Sequence, residues 1–236
     1  GAEVVEHMGK RALKVLMITA MALFATSAAS SSAQPGQAPK TSPAAPLVLL
    51  CYGDSLTAGY GLPAGQSYPD RLGELLRAKG HDVRIVNAGV SGDTSAGGLA
   101  RLEWTLGERP DAAILCLGAN DALRGLSVER MEANLDAMLA RVAQERIPVL
   151  LAGMKAPRNL GPAYATPFEA VFPRLAAKYK TLFYPFLLDG VAADPAFNLA
   201  DGIHPNAAGA EAIARRILPL TEQLLEKAAA LRKEAP

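Results

Sequence analysis

Leu47-Val48-Leu49-Leu50-Cys51-Tyr52-Gly53-Asp54-Ser55-Leu56-Thr57-Ala58-Gly59 is the stretch on which the reading of this chain turns. An unbroken apolar run, bounded by Pro46 and Gly53, stops at a Gly-Asp-Ser turn. Continuous apolar runs of this length read as parallel strands buried on both faces. In an open α/β sheet, ligands bind in the crevice beyond the carboxyl ends of such strands. Ser55 stands just past one of those ends, where a hydroxyl faces a cleft. Asp-Ser pairs after strands are more often plain turn formers, so this segment alone decides the fold class and leaves the function open.

Working outward, further apolar runs place strands at 83–87, 112–117, 149–154 and 182–186. Between them, apolar residues recur at helical spacing over 68–79, from 94 to about 109, and over 127–146, 168–179 and 206–232. Pro219 is expected to kink or break the last helix. Strand and helix alternating five times predict a three-layer α/β fold. Its core is a doubly wound, mostly parallel, five-stranded sheet with helices on both faces, without repeats or a second domain. Residues 57–67, with their glycines and Pro63, read as an irregular loop, where Tyr60 and Leu62 either line an apolar entrance or pack onto the domain. Residues 121–126 and the proline-containing stretch 155–167 read as loops leaving strand ends near Ser55. Their Leu123 and Tyr164 are candidates for substrate binding, although packing is an open alternative for the leucines. Trp104, the single tryptophan, is expected to be packed.

Asp201-Gly202-Ile203-His204-Pro205, near the far end of the chain, supplies an acid and an imidazole three residues apart. A serine hydroxyl becomes a competent nucleophile when a neutral imidazole takes its proton and a carboxylate fixes that imidazole's tautomer. The chain has three histidines, and the other two are His7 in the N-terminal segment and His81 in a helix-to-strand connection. Ser55, His204 and Asp201 are therefore the candidate catalytic residues. Thr57 stands where a Gly-x-Ser-x-Gly nucleophile elbow needs glycine, which disfavours an ordinary α/β-hydrolase.

Gly53-Asp54-Ser55-Leu56, Gly89-Val90-Ser91-Gly92-Asp93-Thr94, Gly118-Ala119-Asn120-Asp121 and Asp201-Gly202-Ile203-His204-Pro205 resemble, in order, the blocks of the GDSL or SGNH hydrolases. The fuller strings 53–62 and 117–125 are similar to the bacterial thioesterase I, lysophospholipase and arylesterase group. The resemblance implies an SGNH-type, flavodoxin-like fold and an oxyanion hole made by the Ser55 and Gly92 backbone N–H groups with the Asn120 side chain. It also implies hydrolysis of small esters, acyl thioesters or lysophospholipids through an acyl-enzyme, with no cofactor and no metal. A carbohydrate O-acetyl esterase using the same triad is the alternative. Residue by residue, Gly92 also reads as a turn glycine and Asn120 as an Asx turn.

The chain has 236 residues, half of them hydrophobic and one fifth charged, with a formal net charge of +1. Outside the N-terminal segment it has no basic block, so it lacks the electrostatic footprint of a nucleic-acid partner. Residues 8–14 are basic, 15–24 apolar and 25–33 small, in the order of a secretory signal peptide, with cleavage expected after Ala28 or Ala33. Met8 is the expected initiator, so 1–33 reads as an N-terminal extension plus signal, 34–46 as a flexible linker and 47–232 as the hydrolase domain. The apolar core is too short to span a bilayer comfortably, and no cysteine follows it for lipid attachment. A periplasmic or secreted enzyme without a stable membrane span is expected. Cys51 and Cys116, on neighbouring strands, are expected as free buried thiols, because cross-strand geometry seldom suits a disulfide.

Overall fold

The computed structural model describes residues 45–234; the expected signal peptide and most of the linker lie outside them. Five strands form one sheet: β1 (Leu47–Gly53), β2 (Val83–Gly89), β3 (Ala112–Cys116), β4 (Val149–Ala152) and β5 (Leu182–Tyr184). Their order is β2-β1-β3-β4-β5, and every pairing is parallel. The helices are α1 (Ser55–Ala58), α2 (Tyr68–Ala78), α3 (Ser95–Leu106), α4 (Ala119–Leu123), α5 (Val128–Gln144), α6 (Pro162–Tyr179) and α7 (Ala207–Glu234). Helices α2 and α7 pack together on one face, and α3, α5 and α6 form the other layer.

Burial along the strands follows from that order. The central strands β3 and β4 are buried throughout, and β1 is buried from Leu49 onward, because helices cover both faces. The edge strands β2 and β5 are mostly half-buried. The chain leaves β1 for β2 on one side and then returns past β1 to β3 on the other. Connections therefore diverge at the carboxyl ends of β1 and β3, which opens the crevice of a doubly wound sheet. Register sharpens this: Gly53 pairs with Gly89 on one side and Cys116 on the other, so three chain segments leave the same edge side by side. At Gly89 a Cβ would collide with the Ala58 backbone, and only a glycine lets α1 fold back over the strand ends.

Three elements differ from the sequence expectation. Helix α6 begins at Pro162, so the second half of the expected loop over 155–167 is helix, with a 3₁₀ turn (Arg158–Leu160) before it. Pro162 occupies the first turn, where a missing N–H costs nothing. Pro167 and Pro173 lie further in, but they and the residues four positions earlier, Ala163 and Glu169, are exposed, which leaves the freed carbonyls on the solvent side of the helix. The same arrangement at Pro219 and Arg215 lets α7 run unbroken through the proline. Residues 119–123 form the short helix α4, which takes in the first three residues of the loop expected over 121–126. Cys51 and Cys116 are free and buried, as expected from the adjacency of β1 and β3.

Candidate active site

Ser55 opens α1 directly after β1 and Asp54. Asp54 is buried, and its carboxylate accepts from the Leu56 N–H at 3.0 Å, fixing the turn that carries Ser55. The Ser55 N–H lies in the first turn of this helix, where no intrahelical acceptor exists. Burial pushes the Asp54 carboxyl up to about 6, against the opposing pull of the Leu56 N–H and of His204.

The Asp201–His204 loop comes from the other end of the chain and meets this turn. Ser55 Oγ lies 3.0 Å from His204 Nε2, and His204 Nδ1 lies 2.6 Å from Asp201 Oδ2. The second carboxylate oxygen of Asp201 accepts from the Ile203 and His204 N–H groups at 2.9 and 3.0 Å. The His204 backbone donor, then the imidazole and the Ile203 N–H, hold the Asp201 carboxyl down at about 2. The loop is closed behind by the Leu199 N–H on the His204 carbonyl at 2.7 Å and by a bridge from Asn198 to Pro205. The Tyr60 ring lies over the imidazole, 4.5 Å between centroids and tilted by 40°. Tyr60 and Leu62, with Ser55, Tyr68 and Ile213, line a small cleft beside the turn; Tyr60 is half exposed there, while Leu62 also packs against the core.

Gly92 and Asn120 leave the neighbouring strand ends. Gly92 has φ +86°, a conformation glycine adopts without strain, and its carbonyl accepts from Arg124 at 2.8 Å. Asn120 is the second residue of α4; its amide donates to the Asp93 carbonyl at 2.9 Å and stands 3.5 Å from Asp54 Oδ2. The adjacent Asp121 is buried and accepts from the Ser95 N–H and hydroxyl at 2.7 and 2.6 Å, which locks α4 to the start of α3.

The two substrate-binding candidates fare differently. Leu123 ends α4 and is 54% exposed. Tyr164 stands on the first turn of α6, stacks on Phe168 and donates to the Leu126 carbonyl at 2.8 Å, so it is a tether of the scaffold and not part of a free loop. Trp104, expected to be packed, is 84% exposed in the last turn of α3, at the end of the helix away from Ser95 and the site. Burial pushes the Cys51 and Cys116 thiols up, so both stay protonated within the sheet. Among the described residues, no group of three or more His, Cys, Asp or Glu side chains is disposed to hold a metal ion.

Residues 51–212 match the GDSL-like Lipase/Acylhydrolase family. The chain is 41% identical over 186 residues to Esterase TesA of Pseudomonas aeruginosa, covering 78% of this chain and 92% of that one. It is 38% identical over 159 residues to Thioesterase 1/protease 1/lysophospholipase L1 of Escherichia coli, covering 67% and 75%. The crystal structure of AlinE4, an SGNH-hydrolase family esterase, superposes with a TM-score of 0.66 at 42% identity, covering 83% of this chain and all of that one. With the sheet order, the strand-end site and a family match over most of its length, this chain belongs to the GDSL-like lipase/acylhydrolase family and is a hydrolase.

Proposed function

We propose that this chain is an exported serine esterase or thioesterase that hydrolyses small carboxylic esters, acyl thioesters or lysophospholipids through an acyl-enzyme. The observation that carries the reading is the pair of hydrogen bonds from Ser55 Oγ to His204 and from His204 to Asp201, at 3.0 and 2.6 Å. Ser55 attacks the acyl carbonyl while His204 takes the hydroxyl proton. His204 then returns that proton to the leaving alcohol or thiol, and Asp201 holds the ring and balances the imidazolium. Water, deprotonated by the same imidazole, attacks the acyl-enzyme and releases the acid.

The tetrahedral oxyanion is held by the Ser55 and Gly92 N–H groups and the Asn120 amide. One Asn120 amide hydrogen is engaged by the Asp93 carbonyl, while the other has only a contact of 3.5 Å to Asp54. That distance is at the limit of hydrogen bonding, so this hydrogen is the one available to an oxyanion. Leu123 contacts the acyl chain, and Tyr164 acts on the same wall through its hold on Leu126. The alternative, a carbohydrate O-acetyl esterase, gains nothing from the exposed Trp104, which lies at the wrong edge of the sheet.

Relatives named esterase, arylesterase and thioesterase/lysophospholipase support the substrate range. Residues 8–33 carry the pattern of an export signal, which supports a periplasmic or secreted location. Among the described residues no helix is long and apolar enough to cross a membrane. The test is a panel of nitrophenyl esters, an acyl-CoA, a lysophospholipid and an acetylated sugar, run on wild type and on Ser55→Ala. An organophosphonate should label Ser55 alone and stop every activity that Ser55→Ala stops. Labelling at Ser67 or Ser91, or turnover restricted to the acetylated sugar, would overturn the reading.

A further inference from the structure

Arg101, on α3, belongs to none of the sequence blocks, yet it joins two of them directly and reaches a third through Asp93. Its Nε donates to Asp93 Oδ2 at 2.6 Å, and its Nη2 donates to the Gly53 carbonyl at 3.0 Å. The guanidinium lies over the Tyr52 ring, 4.1 Å from the centroid, and the Tyr52 hydroxyl is itself anchored on the Gly98 carbonyl of α3. Both members of the Arg101–Asp93 pair are largely buried, with side chains 21% and 16% exposed.

The partners matter for where they stand. Gly53 is the last residue of β1, one residue before Asp54 and two before Ser55. Its carbonyl also takes the Val90 N–H at 3.0 Å, so β1 and the second block converge on one oxygen. Asp93 follows Gly92, and its backbone carbonyl receives the Asn120 amide at 2.9 Å. A rigid path therefore runs from the nucleophile turn to Asn120: Gly53 carbonyl, Arg101 guanidinium, Asp93 carboxylate, Asp93 carbonyl, Asn120 amide. Its counterpart in front of the site is the looser 3.5 Å contact between Asn120 and Asp54.

We propose that Arg101 is a positioning residue that sets the place of the Asn120 amide relative to Ser55. The proposal rests on Asn120 being an oxyanion donor. A planar guanidinium spans two acceptors at once through different nitrogens, while it stacks on an aromatic face. A lysine ammonium is a point charge without that fork and cannot reproduce the span. Donors in an oxyanion hole act only when their hydrogens point at the place where charge develops, so the effect of Arg101 falls on turnover and not on substrate binding.

The experiment compares Arg101→Lys in wild type and in Asn120→Ala, measuring kcat and KM on a short nitrophenyl ester together with Tm. Removing one partner of a buried ion pair is costly, so the charge-retaining variant is the primary one. Asp93→Asn, which keeps the backbone carbonyl and the Arg101–Gly53 bond, is the second. In the wild-type background either substitution should lower kcat between about 10-fold and 10²-fold, the range that a misplacement on the order of 1 Å produces. KM should change by less than about threefold, since uniform binding is untouched. In the Asn120→Ala background the same substitution should cost less than about threefold in kcat, because the group it positions is gone.

Equal fold-losses in the two backgrounds, or wild-type kcat in a folded Arg101→Lys protein, would overturn the role. If Arg101→Lys does not fold, Asp93→Asn is read against the same criteria, and additive loss there overturns it equally. An Asn120→Ala protein with wild-type kcat would bring down the oxyanion reading and this proposal with it. An impaired Asn120→Ala with additive Arg101 losses removes only the proposal.

Discussion

The two halves of the site are held by opposite means. Ser55, Gly92 and Asn120 stand on segments that leave three strand ends in register, and their frame is tied across long sequence distances. Arg101 binds Gly53 and Asp93, Asp121 binds Ser95, and Asn120 binds Asp93. The Asp201–His204 half braces itself: Asp201 is exposed, His204 lies half-buried under Tyr60, and every bond to the Asp201 carboxylate arises within three residues. Two aspartates summarise the contrast. Burial pushes Asp54 up to about 6, while donors at the surface hold Asp201 at about 2. A buried frame preorganises dipoles for a developing charge, and a self-braced loop keeps a charged carboxylate against an imidazole without a core to support it. The halves meet at the Ser55–His204 bond and under the Tyr60 ring.

The largest effect should come from the self-braced half, and it should leave the fold alone. By analogy with a serine protease whose triad has been dissected, His204→Ala should lower kcat on the order of 10⁶-fold and Asp201→Ala on the order of 10⁴-fold. Because the loop draws its bonds from itself, Tm should stay within about 3 °C, or roughly 1 kcal/mol for a chain of this size. The sign of the pH effect follows from the depressed Asp201 carboxyl. Its contribution is present above the ordinary carboxylate value and is lost only as pH falls through about 2, outside any working range. Kinetics and thermal unfolding of both variants check this. A His204→Ala protein that keeps its rate, or that melts far below wild type, breaks the contrast.

Asn120 tests the buried half. If its amide is a donor to the oxyanion, Asn120→Ala should lose about 10²–10³ in kcat, roughly 3–4 kcal/mol, with little change in KM. A residue that only shaped the start of α4 would instead lower Tm and reduce binding and turnover together. Asn120→Asp, which sets a carboxylate against the developing charge, should be at least as inactive while remaining folded. Near-wild-type kcat in a folded Asn120→Ala protein removes Asn120 from the hole.

Much of this was legible in the chain because the signals were redundant. The apolar runs of β1, β3 and β4 are long enough to require cover on both faces, and that requirement alone produces the parallel sheet and the edge from which Ser55 emerges. The Asp201–His204 pair was legible because its bonding is local. The start of α6 was not, since a proline read along the sequence looks like a stop. Whether it is one depends on which face the freed carbonyl takes, and that is a property of the packed helix. Trp104 was misplaced for a related reason: helical spacing does not say which face of α3 meets α5. Arg101 was invisible for a third. Asp93 lies before the helix and Arg101 inside it, so no periodicity links them, and the Gly53 carbonyl that Arg101 also binds is 48 residues away.

The smallest effect, and the sharpest probe of the buried half, is the pH dependence of stability carried by Asp54. Its carboxyl lies beside His204, which favours the charged form, and in the field of Asp93, which opposes it; burial outweighs both and leaves it at about 6. In the unfolded chain the same group ionises near the ordinary aspartate value of 3.8. Between those values the folded state keeps a proton that the unfolded chain has released, so stability is highest at the acid end and falls as pH rises through about 6. Moving a carboxyl by that much corresponds to about 3 kcal/mol at full ionisation, an upper figure because the surroundings relax around a buried charge. Asp54→Asn keeps an oxygen to accept the Leu56 N–H and cannot ionise. The stability of Asp54→Asn relative to wild type should therefore rise between pH 4 and pH 7 and stay level above it, whatever the absolute cost of the exchange. Urea unfolding of both proteins across that range measures the difference directly. A constant difference would mean that Asp54 is as well solvated as Asp201, and the contrast between the two halves would then rest on hydrogen bonding alone.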